Sequence, residues 1–166
     1  SIALATVASG ALLSSAAMAA EQKIAVVNFQ EVMGKIPQTA AVMQSLEAEF
    51  KDAKAELAQL EKDIKYYQEK KTRDSSLMSK KEIEELDKKI AEYYQNYQTK
   101  GKALQQQAGA RQNEETNKIV ALVRQAIDGI AAKEKYDLVI EQKAVIFSKP
   151  DVSITDKVVE QVSKLN

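Results

Sequence analysis

Two apolar stripes advance through the middle of the chain in alternating steps of four and three residues, one on each side of a short polar break. The first runs Leu46, Phe50, Ala53, Leu57, Leu60, Ile64, Tyr67; the second runs Ile83, Leu86, Ile90, Tyr93, Tyr97, Lys100, Leu104. A helix that buries one side in a globular core shows a broad apolar face, whereas single-file spacing makes a narrow seam for one partner helix. The stripes also match each other, because Phe50 with Leu104, Leu57 with Tyr97, Leu60 with Tyr93 and Ile64 with Ile90 have residue numbers of nearly constant sum. A constant sum means an antiparallel hairpin that folds back near Leu77. Asp74, Ser75 and Ser76 favour a turn there, and Ser79 followed by Glu82 is a capping-box signature for the returning helix. A helix from Gln38 to Arg73 would be roughly 54 Å long at 1.5 Å per residue.

The hairpin takes up much of the 166 residues. Glu21 to Ile36 and about fifty C-terminal residues remain for a compact body, too few to bury a robust apolar core alone, so self-association is expected. Twenty-four basic residues balance 24 acidic ones, and nothing in that balance calls for nucleic acid as a partner. There is no cysteine and no histidine: neither a disulfide framework nor a thiolate metal site can form, and the commonest general base and zinc ligand are both missing. The five glycines make no phosphate loop, and Glu82, Glu84, Glu85 and Asp87 alternate with lysines as a solvated helix face does. No catalytic, cofactor-binding or metal site is assigned, which points away from an enzyme.

Ser1 to Ala19 carry no charge and end in Ala17-Met18-Ala19, the small-x-small pattern of a signal-peptide cleavage site, so the segment reads as the remnant of an export signal cut before Ala20. Lys23 to Phe29 is a short run rich in β-branched residues with apolar side chains on both faces, a strand covered on both sides. A short helix over Phe29 to Ile36 follows, ended or restarted by Pro37. The returning helix is expected from Ser79 to about Lys133. Its seam loses apolar residues after Leu104 and resumes out of step at Ile119, Val123, Ala126 and Ile130, a stutter that marks the entry of the arm into the body. Tyr136 to Ile140 and Ala144 to Phe147 read as two strands, Lys149-Pro150-Asp151 as a turn, and Ile154, Val158, Val162 and Leu165 as the stripe of a final helix capped near Ser153 or Thr155. The organisation is therefore α+β and mainly α: a signal remnant over 1–19, an association body over 20–37 and 115–166, and a hairpin arm over 38–114.

Two features of the arm are candidates for binding. Tyr67, Tyr93 and Tyr97 fall on the seam, while Tyr66 and Tyr94 fall beside it and are freer to meet another molecule. The fold-back presents Leu77 and Met78 among Lys70, Lys71, Arg73, Lys80 and Lys81, a basic tip with two apolar residues that suits an unfolded client or a lipid surface and equally fits a solvated turn.

The order of elements and several stretches resemble the Skp, or OmpH-like, periplasmic chaperones of Gram-negative bacteria. The similarity covers nearly the whole chain after the signal remnant. It is clearest in Lys23-Ile24-Ala25-Val26-Val27-Asn28, Leu46-Glu47-Ala48-Glu49-Phe50, Asn113-Glu114-Glu115 followed by Lys118, Asp137-Leu138-Val139-Ile140 with Ala144-Val145, and Asp151-Val152-Ser153-Ile154-Thr155. The resemblance implies a homotrimer whose intertwined strands form a small barrel-like body, with three arms around a central cavity. It implies a holdase that keeps unfolded outer-membrane proteins soluble without nucleotide hydrolysis and delivers them for membrane insertion. It also suggests a lipopolysaccharide contact on the arm, where Lys100 and Arg111 match and Ala110 stands where many relatives carry a basic residue. The competing reading is a coiled-coil structural or adaptor protein of the cell envelope that binds one folded partner.

Overall fold

A computed structural model describes residues 20–165; the signal remnant over 1–19 lies outside the described residues. Strand β1, Ile24–Val27, opens the fold, and Ala25, Val26 and Val27 are all buried, so both of its faces are covered as its unbroken apolar run requires. Asn28 then caps helix α1, Phe29–Lys35, its side-chain oxygen accepting the Glu31 amide at 3.0 Å. Ile36 is extended, and Pro37 begins helix α2, Pro37–Asp74, as a first-turn residue whose missing N–H has no helical partner to lose.

Helix α2 is 38 residues long, about 57 Å. A single 3-10 turn at Ser75–Leu77 reverses the chain. Helix α3, Lys80–Glu134, returns through 55 residues, about 80 Å. Its N-terminus carries the capping box: Ser79 Oγ accepts the Glu82 amide at 3.2 Å and the Glu82 carboxylate accepts the Ser79 amide at 2.7 Å. It ends at Lys135, held in the left-handed conformation (φ 59°) that glycine usually supplies.

Strand β2, Leu138–Glu141, lies parallel to β1, Ile24 against Leu138 through Val27 against Glu141. Val26 also bridges to Ser153. Helix α4, Thr155–Ser163, closes the core. That core joins Ala25, Val27, Val32, Ile36, Ile119, Val123, Ala126, Ile130, Ile154, Val158 and Val162, so the first and last segments of the chain pack on the C-terminal third of α3.

Two expectations are corrected. Ala144 to Phe147 is not a strand: Gln142–Ala144 is a 3-10 turn, and Val145 to Phe147 have no ladder partner among the described residues. A strand exists only where another backbone supplies its hydrogen bonds, and here the apolar side chains of Ile146 and Phe147 project into solvent. The final helix is not capped by Ser153 or Thr155 in the expected way either. Ile154 occupies the cap position without a side-chain bond, while the Thr155 hydroxyl accepts the Asn28 amide at 3.0 Å, tying α4 to the end of β1.

Candidate functional site: the hairpin, its tip and its charged base

Along the hairpin the burial pattern follows the two stripes. Phe50, Leu60, Ile64 and Leu86 are buried, and Leu46, Ala53, Leu57, Tyr67, Ile83, Ile90, Tyr93, Tyr97, Lys100 and Leu104 are half-buried, while most residues between them are exposed. The seam is therefore one residue wide. The observed cross-helix contacts, Lys71 with Asp87, Tyr67 with Tyr93 and Lys100 with Glu56, have residue numbers that add to slightly more than the sum of the sequence pairing. Side chains lean toward their own helix N-terminus. In an antiparallel pair that lean points to the base on α2 and to the tip on α3, so side chains meet partners farther along than their backbones suggest.

The tip residues are gathered at the fold-back. Leu77 is 86% exposed and Met78 is half-buried. Lys71 pairs with Asp87 across the hairpin, and Arg73 bonds Asp74 at 2.9 Å, so two of the five tip cations are already engaged with carboxylates. Lys80 and Lys81 are exposed and Lys70 is half-buried. Farther up, Tyr66, Tyr67 and Tyr93 form a short ladder, with ring centroids 5.1 and 5.5 Å apart and Lys89 over the Tyr67 ring at 4.4 Å. Tyr66 and Tyr94 are among the most exposed large apolar residues of the hairpin.

Lys100 and Arg111 are kept well apart from the tip and from each other, about 16 Å along α3. Lys100 pairs with Glu56 at 2.7 Å. Arg111 sits in a network: its Nε donates to Glu49 of α2 at 3.0 Å, and its Nη1 donates to Glu114 at 2.7 Å and Glu115 at 3.0 Å. Lys118 bonds the same two carboxylates at 2.9 Å. Hydrogen bonds from Lys118 and then Arg111 hold both Glu114 and Glu115 below the usual carboxylate range, and the Glu49 contact leads those that raise Arg111 above its ordinary value.

Sequence reasoning passed over Glu49 and Glu115 as members of this network. The available signal was an 11-residue spacing that carries Lys100, Leu104 and Ala108 onto Arg111, Glu115 and Ile119. The seam does not lapse after Leu104, as the loss of apolar residues had suggested. It continues through Ala108, Arg111 and Glu115, all half-buried, in steps of four, three and four from Leu104 that relax a left-handed supercoil.

Comparison with known proteins agrees with this architecture. The "Chaperone protein Skp" of Photorhabdus luminescens is 38% identical over 152 residues, covering 92% of this chain and 92% of its own. The protein of that name from Vibrio cholerae is 34% identical over 154 residues, 93% of this chain and 90% of its own. The one from Escherichia coli K12 is 32% identical over 154 residues, 92% and 93%. The crystal structure of an OmpH-like protein from Caulobacter crescentus superposes with a TM-score of 0.75 at 16% identity, over 86% of this chain and 84% of that one, which establishes a shared fold. Residues 23–162 match the family described as "Outer membrane protein (OmpH-like)", and the chain belongs to that family.

Proposed function

We propose that this protein is an ATP-independent periplasmic holdase chaperone. It binds unfolded outer-membrane proteins, keeps them from aggregating and delivers them for membrane insertion. The observation that carries the reading is the hairpin: two helices of 38 and 55 residues share a seam one residue wide, and α2 with the facing part of α3 extends away from the core. A structure built mostly of solvated surface offers many weak contacts and little resistance to bending, which suits a client that has no fixed shape. Membership of the family whose relatives are named as chaperones points the same way. Sequestering the unfolded chain lowers its free concentration by mass action, with no chemical step.

The working form is a homotrimer. Ile146 and Phe147 are exposed, Leu138 and Ile24 are half exposed, and β2 has β1 as its partner on one edge. A groove of about 540 Å³ is lined by Val27, Phe29, Val120 and Ile127 together with Arg124, Asp128 and Glu141, whose carboxylate leaves one oxygen without a partner. An exposed apolar segment, an unpaired strand edge and a groove are what a chain shows when copies of itself complete its body. On this reading residues 20–37 and 115–166 form the association body, residues 38–114 form the arm, and Ser1 to Ala19 are removed on export. Leu77 and Met78, flanked by Lys70, Lys80 and Lys81, are the client- or membrane-facing tip. A lipopolysaccharide contact at Lys100 and Arg111 would have to compete with Glu56 and Glu49 for the two cations.

The test is to dilute a porin from urea into buffer with and without the purified protein and follow light scattering. Suppression at about one trimer per porin is expected, and for several unrelated outer-membrane barrels. Capture of one folded envelope protein at fixed stoichiometry, with no effect on the porins, would replace the holdase reading with that of an adaptor.

A further inference from the structure

Between Phe50 and Leu104 on the tip side, and Ile119 and Val123 on the core side, the seam changes character. Helix α3 presents Ala108, Arg111 and Glu115 there, and α2 presents Leu46 and Glu49. Lys100 with Glu56 and Lys71 with Asp87 also cross the hairpin, but the seam positions flanking Lys100 are Tyr97 and Leu104, and those near Lys71 and Asp87 are Tyr67, Leu86 and Ile90. Arg111 is a seam position like Lys100, but its seam neighbours on α3 are Ala108 and Glu115, so apolar contact does not flank its ion pair there. The small side chain of Ala108 leaves a groove of about 310 Å³ alongside, walled by Met43, Leu46, Phe50 and Gln112. The apolar contact that could hold the helices together is thin at this point, and a guanidinium spans it.

We propose that Arg111 is a positioning residue that fixes the register of α2 against α3 at the base of the hairpin and makes closure of that base electrostatic. Register follows from the partners. Sliding α2 by one turn would set Ser45 or Ala53 in place of Glu49, and the guanidinium would lose its acceptor on α2, as a lone polar residue in a coiled-coil seam selects one alignment. Screening follows from exposure: the side chains of Arg111 and Glu49 are 32% and 40% exposed, within reach of mobile ions. The screening length falls from about 8 Å at physiological ionic strength to about 3 Å at 1 M, while apolar contacts are not screened. Rising salt therefore opens the base and leaves the tip-side seam from Leu57 to Ile90 closed, so the arm swings from its base. Its role in client capture rests on the holdase reading; the device itself does not.

The experiment is amide hydrogen exchange on the full protein without client, at low salt and at 1 M sodium chloride. Exchange over 46–54 and 104–118 is expected to quicken by about threefold or more in high salt, with little change over 57–67 and 86–97. Arg111→Gln and Glu49→Gln should each give fast exchange at low salt and no further response, and the double variant should add nothing to either, the signature of one shared interaction. Lys100→Gln removes a cross-helix pair from apolar surroundings and should keep the wild-type response. Equal salt responses in base and mid-hairpin, a wild-type response in Arg111→Gln, or loss of the response in Lys100→Gln would each overturn the proposal. Porin solubility is measured separately, so the base can prove inert while the holdase reading stands, or the reverse.

Discussion

Gln38, in the first turn of α2, donates its side-chain amide to two carbonyls, Val162 in the last turn of α4 at 2.6 Å and Leu165 just beyond that helix at 2.7 Å. Carbonyls in the last turn of a helix have no partner within it. One side chain, more than 120 residues away in sequence, therefore caps α4 and fastens it to the base of the hairpin. The Gln38 amide oxygen is buried without a partner, which offsets part of the gain. Gln38→Ala should lower stability by about 1 kcal/mol. A urea midpoint at fixed protein concentration checks it, since the proposed self-association would make the midpoint depend on concentration. An unchanged midpoint would mean that the two bonds contribute nothing net.

Ile154 and Leu77 are comparable in size and opposite in environment, 1% and 86% exposed. Ile154 lies between β1 and α4, its amide bonded to the Val26 carbonyl at 2.9 Å and its side chain in the core. Truncation to alanine leaves a cavity there and should cost about 3 kcal/mol. Leu77→Ala should stay within about 0.5 kcal/mol. Similar losses at the two positions would mean that the tip is covered in the working assembly.

The hairpin was legible because its signal is local and periodic. Burial falls on the stripes from Leu46 to Tyr67 and from Ile83 to Leu104, and the capping box at Ser79 and Glu82 marks the return. Pairing of β1 with β2 was not legible, since Ile24 and Leu138 lie more than 100 residues apart and no short-range pattern encodes the match. Ala144 to Phe147 carries the composition of a strand without its hydrogen bonds, because composition describes a side chain's preference and not the presence of a neighbouring backbone. At the base, charges at Arg111 and Glu115 hid seam positions that an apolar pattern alone does not reveal. Their partner Glu49 becomes evident only once the helices are set side by side.

Gly101 faces Leu57 across the hairpin, and a Cβ added to it would meet Leu57 Cδ2 at 3.9 Å, an ordinary van der Waals contact. The position is helical, with no glycine at positive φ among the described residues. Gly101→Ala should therefore stabilise the hairpin by about 0.5–1 kcal/mol, by restricting the unfolded chain and adding a methyl group to the seam. Slower amide exchange over 97–105 is the readout. Faster exchange would show that the helices need the open space.

Glu134 joins the end of α3 to α4: Lys157 donates to both of its carboxylate oxygens at 2.8 Å, and Lys23 donates to its backbone carbonyl at 2.7 Å. The Lys157 hydrogen bond is the main cause of a carboxyl held below its ordinary range, with Tyr136 and Lys23 assisting. With its folded value below its unfolded one, the group's contribution is complete above the ordinary glutamate pKa and is lost as pH falls through the folded value. Intrinsic-rate-corrected amide exchange over Thr155–Ser163 should quicken as pH drops from 6 to about 3, and Glu134→Gln should exchange faster at pH 6 and respond less. A variant with the full wild-type acid response would assign the effect to other carboxylates.

Charge should matter little to client affinity. The chain has 24 basic and 24 acidic residues, and at the tip Lys71 and Arg73 already face Asp87 and Asp74. Exposed contacts to an acidic client are screened beyond roughly 8 Å at physiological ionic strength. Many weak apolar contacts along the hairpin are not, and the proposed opening at its base would redistribute those contacts without removing them. Affinity for an unfolded porin should therefore change by less than about tenfold between low and moderately high salt, a difference of about 1.4 kcal/mol. Replacing Lys70, Lys80 and Lys81 together by glutamine should stay within the same limit, while Leu77→Ser with Met78→Ser should weaken binding more. A much steeper salt dependence that vanishes with the three lysines would mean that a local basic patch at the tip, and not apolar contact along the hairpin, holds the client.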